Sequence, residues 1–462
     1  MQKRGVVVIL IILLVFSILF SYWYFSYRVS AIENSYDSKG WKLYREGKYQ
    51  DAIEEFNRNL MKNNRNPYAY EGIGESYLAL SDKPYSSDYS GVQDYSKKAI
   101  EAFRKSLEYE PNQITEYIGL GRALYRYSIN DENVAEISNM EELSEAKSLL
   151  SHAIDLDPRN PDPYTTLGWV YIGNIEKPVD NNEAGNISIF STAIGTFNTS
   201  IILKPSADAY VGLGFAYLYS FDLENAIISA NKAIELAPDN PEPYDTLGWS
   251  YYYLSQIEDS KEKMQKSREN FEKVVELAPK YFAGHLGLGY LNLLVLNDTK
   301  TAKIYFDNAI RLRPFDTLTV GALGKYYFFT GEYDKSIEFY DKAIELDPQA
   351  KARYSDFMIS KGFALIQIGS YAEAIKLFNK SLGLTSTKNV KNYEMLSLVG
   401  LVTAYTELGA KSQAELYLPQ IMKLQKEAKN TQFPFLAKKF NSCMQNKPFV
   451  VENVHFCGKE LK

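Results

Sequence analysis

Cysteine and histidine are scarce in this chain: two of the first, Cys443 and Cys457, and three of the second, His152, His285 and His455. The histidines lie far apart, and the cysteines do not show the paired spacing of a zinc site, so no metal centre is expected. A surplus of positive charge is also missing. Lys and Arg number 51 against 57 Asp and Glu, a net charge of −6. A surface that holds nucleic-acid phosphates needs clustered Lys and Arg, so no nucleic-acid partner is expected. Nor is there a glycine-rich phosphate loop. GIGES at 72–76 and GLGRA at 119–123 sit inside helical patterns, and acidic pairs such as Glu141-Glu142 read as solvated helix faces. No cofactor and no catalytic constellation is expected, and the chain reads as something other than an enzyme.

What is present is apolar and aromatic. Hydrophobic residues make up 45% of the 462 residues and aromatic ones 14%, with 37 tyrosines, enough to bury a large core. Residues 1–30 stand apart. Lys3 and Arg4 precede an uncharged run from Gly5 to about Phe25, followed by Tyr22, Trp23, Tyr24 and Tyr27 at its far end. A helix of about 20 apolar residues spans a bilayer core, and amphipathic rings favour its headgroup level. The run is therefore expected to be a signal-anchor transmembrane helix. A cleaved signal peptide ending at Val29-Ser30-Ala31 is the alternative. A short basic tail places the N-terminus in the cytoplasm and the rest of a single-pass membrane protein outside it. Arg28, Lys39, Lys42 and Arg45 on the other flank argue against that orientation.

Beyond the run the chain repeats itself. One signal ends in proline: AIDLDP at 153–158, AIELAP at 233–238, AIRLRP at 309–314 and AIELDP at 343–348. A second ends in glycine: YTTLG at Gly168, YVGLG at Gly214, YDTLG at Gly248 and HLGLG at Gly289. From Pro314 to Pro348 the period is 34 residues, with Leu323, Gly324, Tyr327, Gly331, Tyr333, Ser336, Tyr340, Ala343 and Pro348 at its small and large positions. This pattern resembles the tetratricopeptide repeat (TPR), an antiparallel helix pair. The resemblance implies an all-α, right-handed α-solenoid of about ten such pairs over residues 33–425, preceded by one transmembrane helix. Residues 426–462 would form a capping helix and a tail, since a solenoid must cover its last apolar face. The tail holds both cysteines, and Cys443 with Cys457 is a candidate disulfide, with two unrelated thiols the alternative.

Spacing within the units varies. From the helix-A glycine to the helix-B small residue Gly214 to Ala226 runs 12 residues, whereas Gly74 to Ala99, Gly121 to Ala146 and Gly168 to Ala193 each run 25. Unit six, from Gly248 to Ser267, runs 19. These insertions between helices A and B would form one rim, a possible binding edge.

In the family it resembles, helix A lines a concave groove, and the residues one, four and five places after the glycine face inward. Here those positions hold Trp169, Phe215, Tyr219, Trp249, Tyr252, Tyr253 and Tyr290, together with Ile172, Leu218, Leu293 and Leu294. The Asn of the chaperone-binding subfamily's carboxylate clamp is absent, its place taken by Glu75, Arg122, Trp169, Phe215 and Trp249. Large aromatic groups are what protein-binding hot spots use. The expected function is a scaffold that binds a partner protein at a membrane, in the groove or along the rim. A structural subunit of a cell-envelope assembly or secretion complex is the alternative, and a glycan-binding module a further one.

Overall fold

The computed structural model describes residues 38–81, 92–129, 139–173, 185–346, 351–385, 391–428, 449–451 and 454–456. Chain contacts divide it into two compact units, Met1–Lys83 with Ser90–Leu124, and Pro84–Tyr89 with Tyr125–Lys462.

The first unit holds α1 (Lys39–Arg45), α2 (Tyr49–Lys62), α3 (Pro67–Ser81), α4 (Val92–Tyr109) and the first part of α5 (Ile114–Ile129). The second continues with α6 (Asn139–Leu156), α7 (Asp162–Gly173), α8 (Gly185–Leu203), α9 (Ala207–Tyr219), α10 (Leu223–Leu236), α11 (Glu242–Glu258), α12 (Lys261–Leu277) and α13 (Phe282–Tyr290). It ends with α14 (Thr299–Leu312), α15 (Thr317–Phe329), α16 (Tyr333–Leu346), α17 (Lys351–Gln367), α18 (Tyr371–Thr385), α19 (Lys391–Glu407), α20 (Lys411–Glu415) and α21 (Leu418–Ala428). A short hairpin follows, β1 (Phe449–Val451) antiparallel to β2 (Val454–Phe456), with Val450 opposite His455.

From α1 to α20 the helices form TPR-like pairs, odd-numbered helices serving as A and even-numbered ones as B. In the second unit each A helix from α7 to α17 packs on its own B helix and also on the next A helix. Burial follows from that placement. The A helix α9 buries Ala209, Val211, Gly212, Leu213, Gly214, Ala216 and Leu218, almost all round. Its partner α10 buries Leu223, Ala226, Ser229, Ala230 and Ala233, a single stripe of helical period. The A helices are thus inner elements, and the B helices present one face to solvent. Side-chain caps start many of the helices. Ser206 Oγ accepts from Ala209 N at 3.2 Å before α9, and Asp316 Oδ1 from Thr319 N at 2.9 Å before α15.

One buried ring repeatedly joins consecutive pairs. Phe197 of α8 is wedged between Gly168 of its own A helix and Gly212 of the next, where an added Cβ would lie 2.6 and 2.3 Å from the ring. Phe271 of α12 sits in the same way between Gly248 and Gly287, at 2.5 and 2.3 Å. Phe56, Phe103 and Phe378 repeat the arrangement. A Cβ at either glycine would have to displace a fully buried aromatic.

Extra residues are absorbed locally. The insertion of unit six is shared, so that α11 and α12 reach 17 residues each. Unit seven spans 13 residues from Gly289 to Ala302 where 12 is usual, and its additional residue appears as a π-helical turn at Leu291–Val295. The longer insertions, at 82–91, 130–138 and 174–184, lie outside the described residues.

The expectation of a single-pass membrane protein, with a membrane-spanning N-terminal helix, is corrected. Among the described residues no helix is long and apolar enough to cross a membrane. The physical reason lies in their composition: even the apolar α8 interleaves Ser191, Thr192, Thr196, Asn198, Thr199 and Ser200. Residues 5–25, on which that expectation rested, lie outside the described residues, as do Cys443, Cys457 and the segment expected to cap the repeats beyond 428.

Candidate partner-binding groove

Two nearly identical stretches build the centre of the A-helix row, PRNPDPYTTLGWVY at 158–171 and PDNPEPYDTLGWSY at 238–251. Each begins as an Asx turn. Asn160 Oδ1 accepts from Asp162 N and Asn240 Oδ1 from Glu242 N, both at 3.0 Å. A tyrosine then ties the helix to the preceding loop, Tyr164 donating to Pro158 O at 3.2 Å and Tyr244 to Pro238 O at 3.1 Å. In α13 a histidine takes that place. His285 Nε2 lies 2.9 Å from Pro279 O, which makes Nε2 the protonated nitrogen.

Each tryptophan stands after its glycine with one edge on the wedge ring. Trp169 meets Phe197 edge-on at 5.6 Å and Trp249 meets Phe271 at 5.2 Å. Tyr290 does the same with Phe306 at 5.4 Å. The rest of these rings continues along the row. Trp169 lies 6.0 Å from Phe215, Phe215 stacks on Tyr219 at 4.3 Å, and Trp249 lies 6.2 Å from Tyr253 and 5.9 Å from Tyr290. Lys325 of α15 sits over Tyr290 at 5.8 Å.

Exposure sorts the expected groove residues. Tyr219 is 53% exposed, while Trp169, Phe215, Trp249, Tyr253 and Tyr290 are half-buried. Tyr252 is only 8% exposed and belongs to the interior, as do Ile172, Leu218 and Leu293. Burial raises the Tyr253 hydroxyl above its ordinary pKa, Lys325 opposes that, and Asp356 of α17 adds to it.

The two stretches differ in their polar groups. Trp169 Nε1 donates to Asp208 Oδ1 of α9 at 3.1 Å, and Thr165 meets Ser200 Oγ of α8 at 2.7 Å. At the place of Thr165 the later stretch has Asp245. Its Oδ1 is enclosed and meets no hydrogen-bond donor among the described residues. Burial, and then the like charge of Glu242, push this carboxyl up to about 7, against a hydrogen bond from Trp249.

Comparison with known proteins follows the same residues. A family model, "Tetratricopeptide repeat", matches 207–240, 250–281 and 320–350, each covering most of a helix pair described above. The match supports the tetratricopeptide repeat family. Superkiller protein 3 of Schizosaccharomyces pombe is 23% identical over 61% of this chain and 22% of its own length. A TPR repeat-containing protein of Methanocaldococcus jannaschii is 22% identical over 78% of this chain and 55% of its own. The chain thus spans about half or less of the length of these relatives. The crystal structure of yeast Tom70 is similar over 88% of this chain and 94% of that one, at 16% identity and a TM-score of 0.41.

Within the TPR pattern, two site features escaped sequence reasoning. The second glycine of each wedge, such as Gly212 or Gly287, was visible two places before the next repeat's helix-A glycine, Gly214 or Gly289. Phe221 was visible as the residue seven after Gly214, where other repeats carry Gly47, Gly331, Gly369 and Gly409 at φ +74 to +80°. Phe221 adopts the same left-handed turn, at φ 65°, and its ring lies 5.3 Å from Tyr253.

In the first unit Trp41 stands edge-on to Phe56 at 5.5 Å, but the residues after the next two helix-A glycines are charged, Glu75 and Arg122. The hydroxyl of Tyr44 donates to Glu75 at 3.4 Å, and Arg122 pairs with Glu75 at 3.6 Å. Burial and Glu75 raise Tyr44 to about 12. These groups answer one another, which leaves the aromatic row of the second unit as the better candidate for an external partner.

Proposed function

We propose that this chain is a non-enzymatic protein-interaction scaffold that holds an extended segment of a partner protein along the A-helix row from α7 to α15. The observation that carries the reading is the cluster of Trp169, Phe215 and Tyr219. Phe215 stacks on Tyr219 and tilts against Trp169, and Tyr219 remains 53% exposed although its neighbours are packed. Rigid aromatic groups of that kind supply contact area at low entropic cost. An extended peptide laid across successive A helices would meet one or two rings on each helix from α7 to α13.

The test places a photo-crosslinking phenylalanine analogue at Tyr219 in cells and identifies the crosslinked protein by mass spectrometry. One partner peptide is expected, with the crosslink lost on Trp169→Ala and retained when the analogue stands instead at the B-helix surface position Ile228. Crosslinks at Ile228 as strong as at Tyr219 would sink the reading. So would a Tyr219 crosslink indifferent to Trp169.

A further inference from the structure

On one face of α11 lies a carboxyl group with one oxygen that no donor in the described chain answers. Asp245, Trp249 and Tyr253 recur every fourth residue and therefore share that face. Trp249 lies 6.2 Å from Tyr253 and 5.9 Å from Tyr290 of α13, so three ring systems extend the face beyond the carboxylate. Asp245 Oδ1 is enclosed and without a hydrogen-bond donor, and the charged group that acts on the carboxyl, Glu242, has the same sign.

The earlier repeat shows how such a place is ordinarily satisfied. There Thr165 meets Ser200 at 2.7 Å. The position of Ser200 is held in the later repeat by Val274, which has no polar group. An enclosed carboxylate with an unpaired oxygen is costly, and a cation is what removes the cost. The faces of Trp and Tyr attract the same cation. Lys325, the cation of this part of the row, is engaged over Tyr290 at 5.8 Å.

We propose that Asp245, Trp249, Tyr253 and Tyr290 form a subsite for a Lys or Arg side chain of the bound segment. The alkyl stem lies on the rings and the charge sits at the carboxylate. The partner is accordingly a segment with a basic residue flanked by apolar ones. This rests on the groove reading above.

The probe is a peptide array of three sets of twelve-residue sequences, identical apart from the central residues: Lys or Arg in the first, Gln in the second, Glu in the third. The purified full chain, Asp245→Asn, Trp249→Leu and Glu269→Gln are compared, each first shown by circular dichroism to be folded. Glu269→Gln removes the same charge from the exposed surface of α12. The basic set should bind the parent chain about tenfold more tightly than the Gln set. Asp245→Asn should abolish that preference, Trp249→Leu should weaken binding of every set, and Glu269→Gln should change nothing. Equal binding of basic and Gln sets overturns the subsite, as does a preference that survives Asp245→Asn or falls equally with Glu269→Gln. If Trp249→Leu still weakens binding in those cases, the groove stands without the subsite. Binding of no set, or binding indifferent to Trp249, overturns both.

Discussion

The repeats of α7–α8 and α11–α12 share an almost identical A-helix sequence and the same glycine–phenylalanine wedge, yet they differ at their polar positions. In the first, Trp169 finds Asp208 on the next A helix and Thr165 finds Ser200 on its own B helix. In the second, Ala283 and Val274 stand where Asp208 and Ser200 would be, so Trp249 turns to Asp245, and Asp245 keeps an unanswered oxygen. The lesson is that a repeat motif specifies packing within itself, while the chemistry of its inner face depends on residues contributed by the neighbours.

The largest test of that division is the wedge, where the two repeats should behave alike. Phe197→Ala and Phe271→Ala each remove a fully buried ring held between two glycines. Each should cost about 3–5 kcal/mol, measured by denaturant unfolding. A clear inequality between them would mean that the shared motif does not set its own packing.

The repeats should part at Asp245. Its carboxyl is raised to about 7 from an ordinary 3.8. Below pH 4 it is protonated whether the chain is folded or not, so it costs nothing. As the pH rises from about 4 to 7 the unfolded chain ionises first, so stability is lost, and above 7 the penalty is complete. Asp245→Asn should therefore stabilise the protein by up to about 4 kcal/mol at pH 8 and by almost nothing at pH 4, read from thermal melts at both. A gain of equal size at both pH values would show that burial of this charge is not its source.

A smaller effect concerns Phe221, which lies between the two repeats in the chain. Its backbone takes a turn that glycine adopts freely, at φ 65°, while its ring packs near Tyr253. Phe221→Gly loses the ring and relieves the backbone, whereas Phe221→Ala loses the ring alone. The glycine variant should be the more stable by about 1 kcal/mol in parallel unfolding curves, and equal stability would argue that no strain is stored there.

The helix pairs were legible because their small and large residues recur on a fixed period, and a period is a local property. The row of Trp169, Phe215, Trp249 and Tyr290 was legible for the same reason, since each ring follows its glycine. Tyr252 was assigned to the groove by the same rule and proves to be interior, because α11 is covered on that side. The π turn was hidden in a spacing of 13 for 12, a small departure that only the backbone makes meaningful. The state of Asp245 was illegible, because it depends on Val274, which arrives from another helix. The membrane expectation was drawn from hydropathy in a stretch that the described helices do not include.

The glycine–phenylalanine wedge also sets where the chain can be cut or lengthened. Each ring is enclosed by the helix before it and by the helix after its own B helix. A shortened protein that stops after α8 would leave one flank of Phe197 facing water, whereas one that stops after α9 would keep it closed by Gly212. The exchangeable module in this architecture is therefore out of register with the repeat that the eye picks out. It begins at a B helix and ends at the A helix that follows, and a gene duplication or an engineered fusion that respects this offset inherits a finished seam.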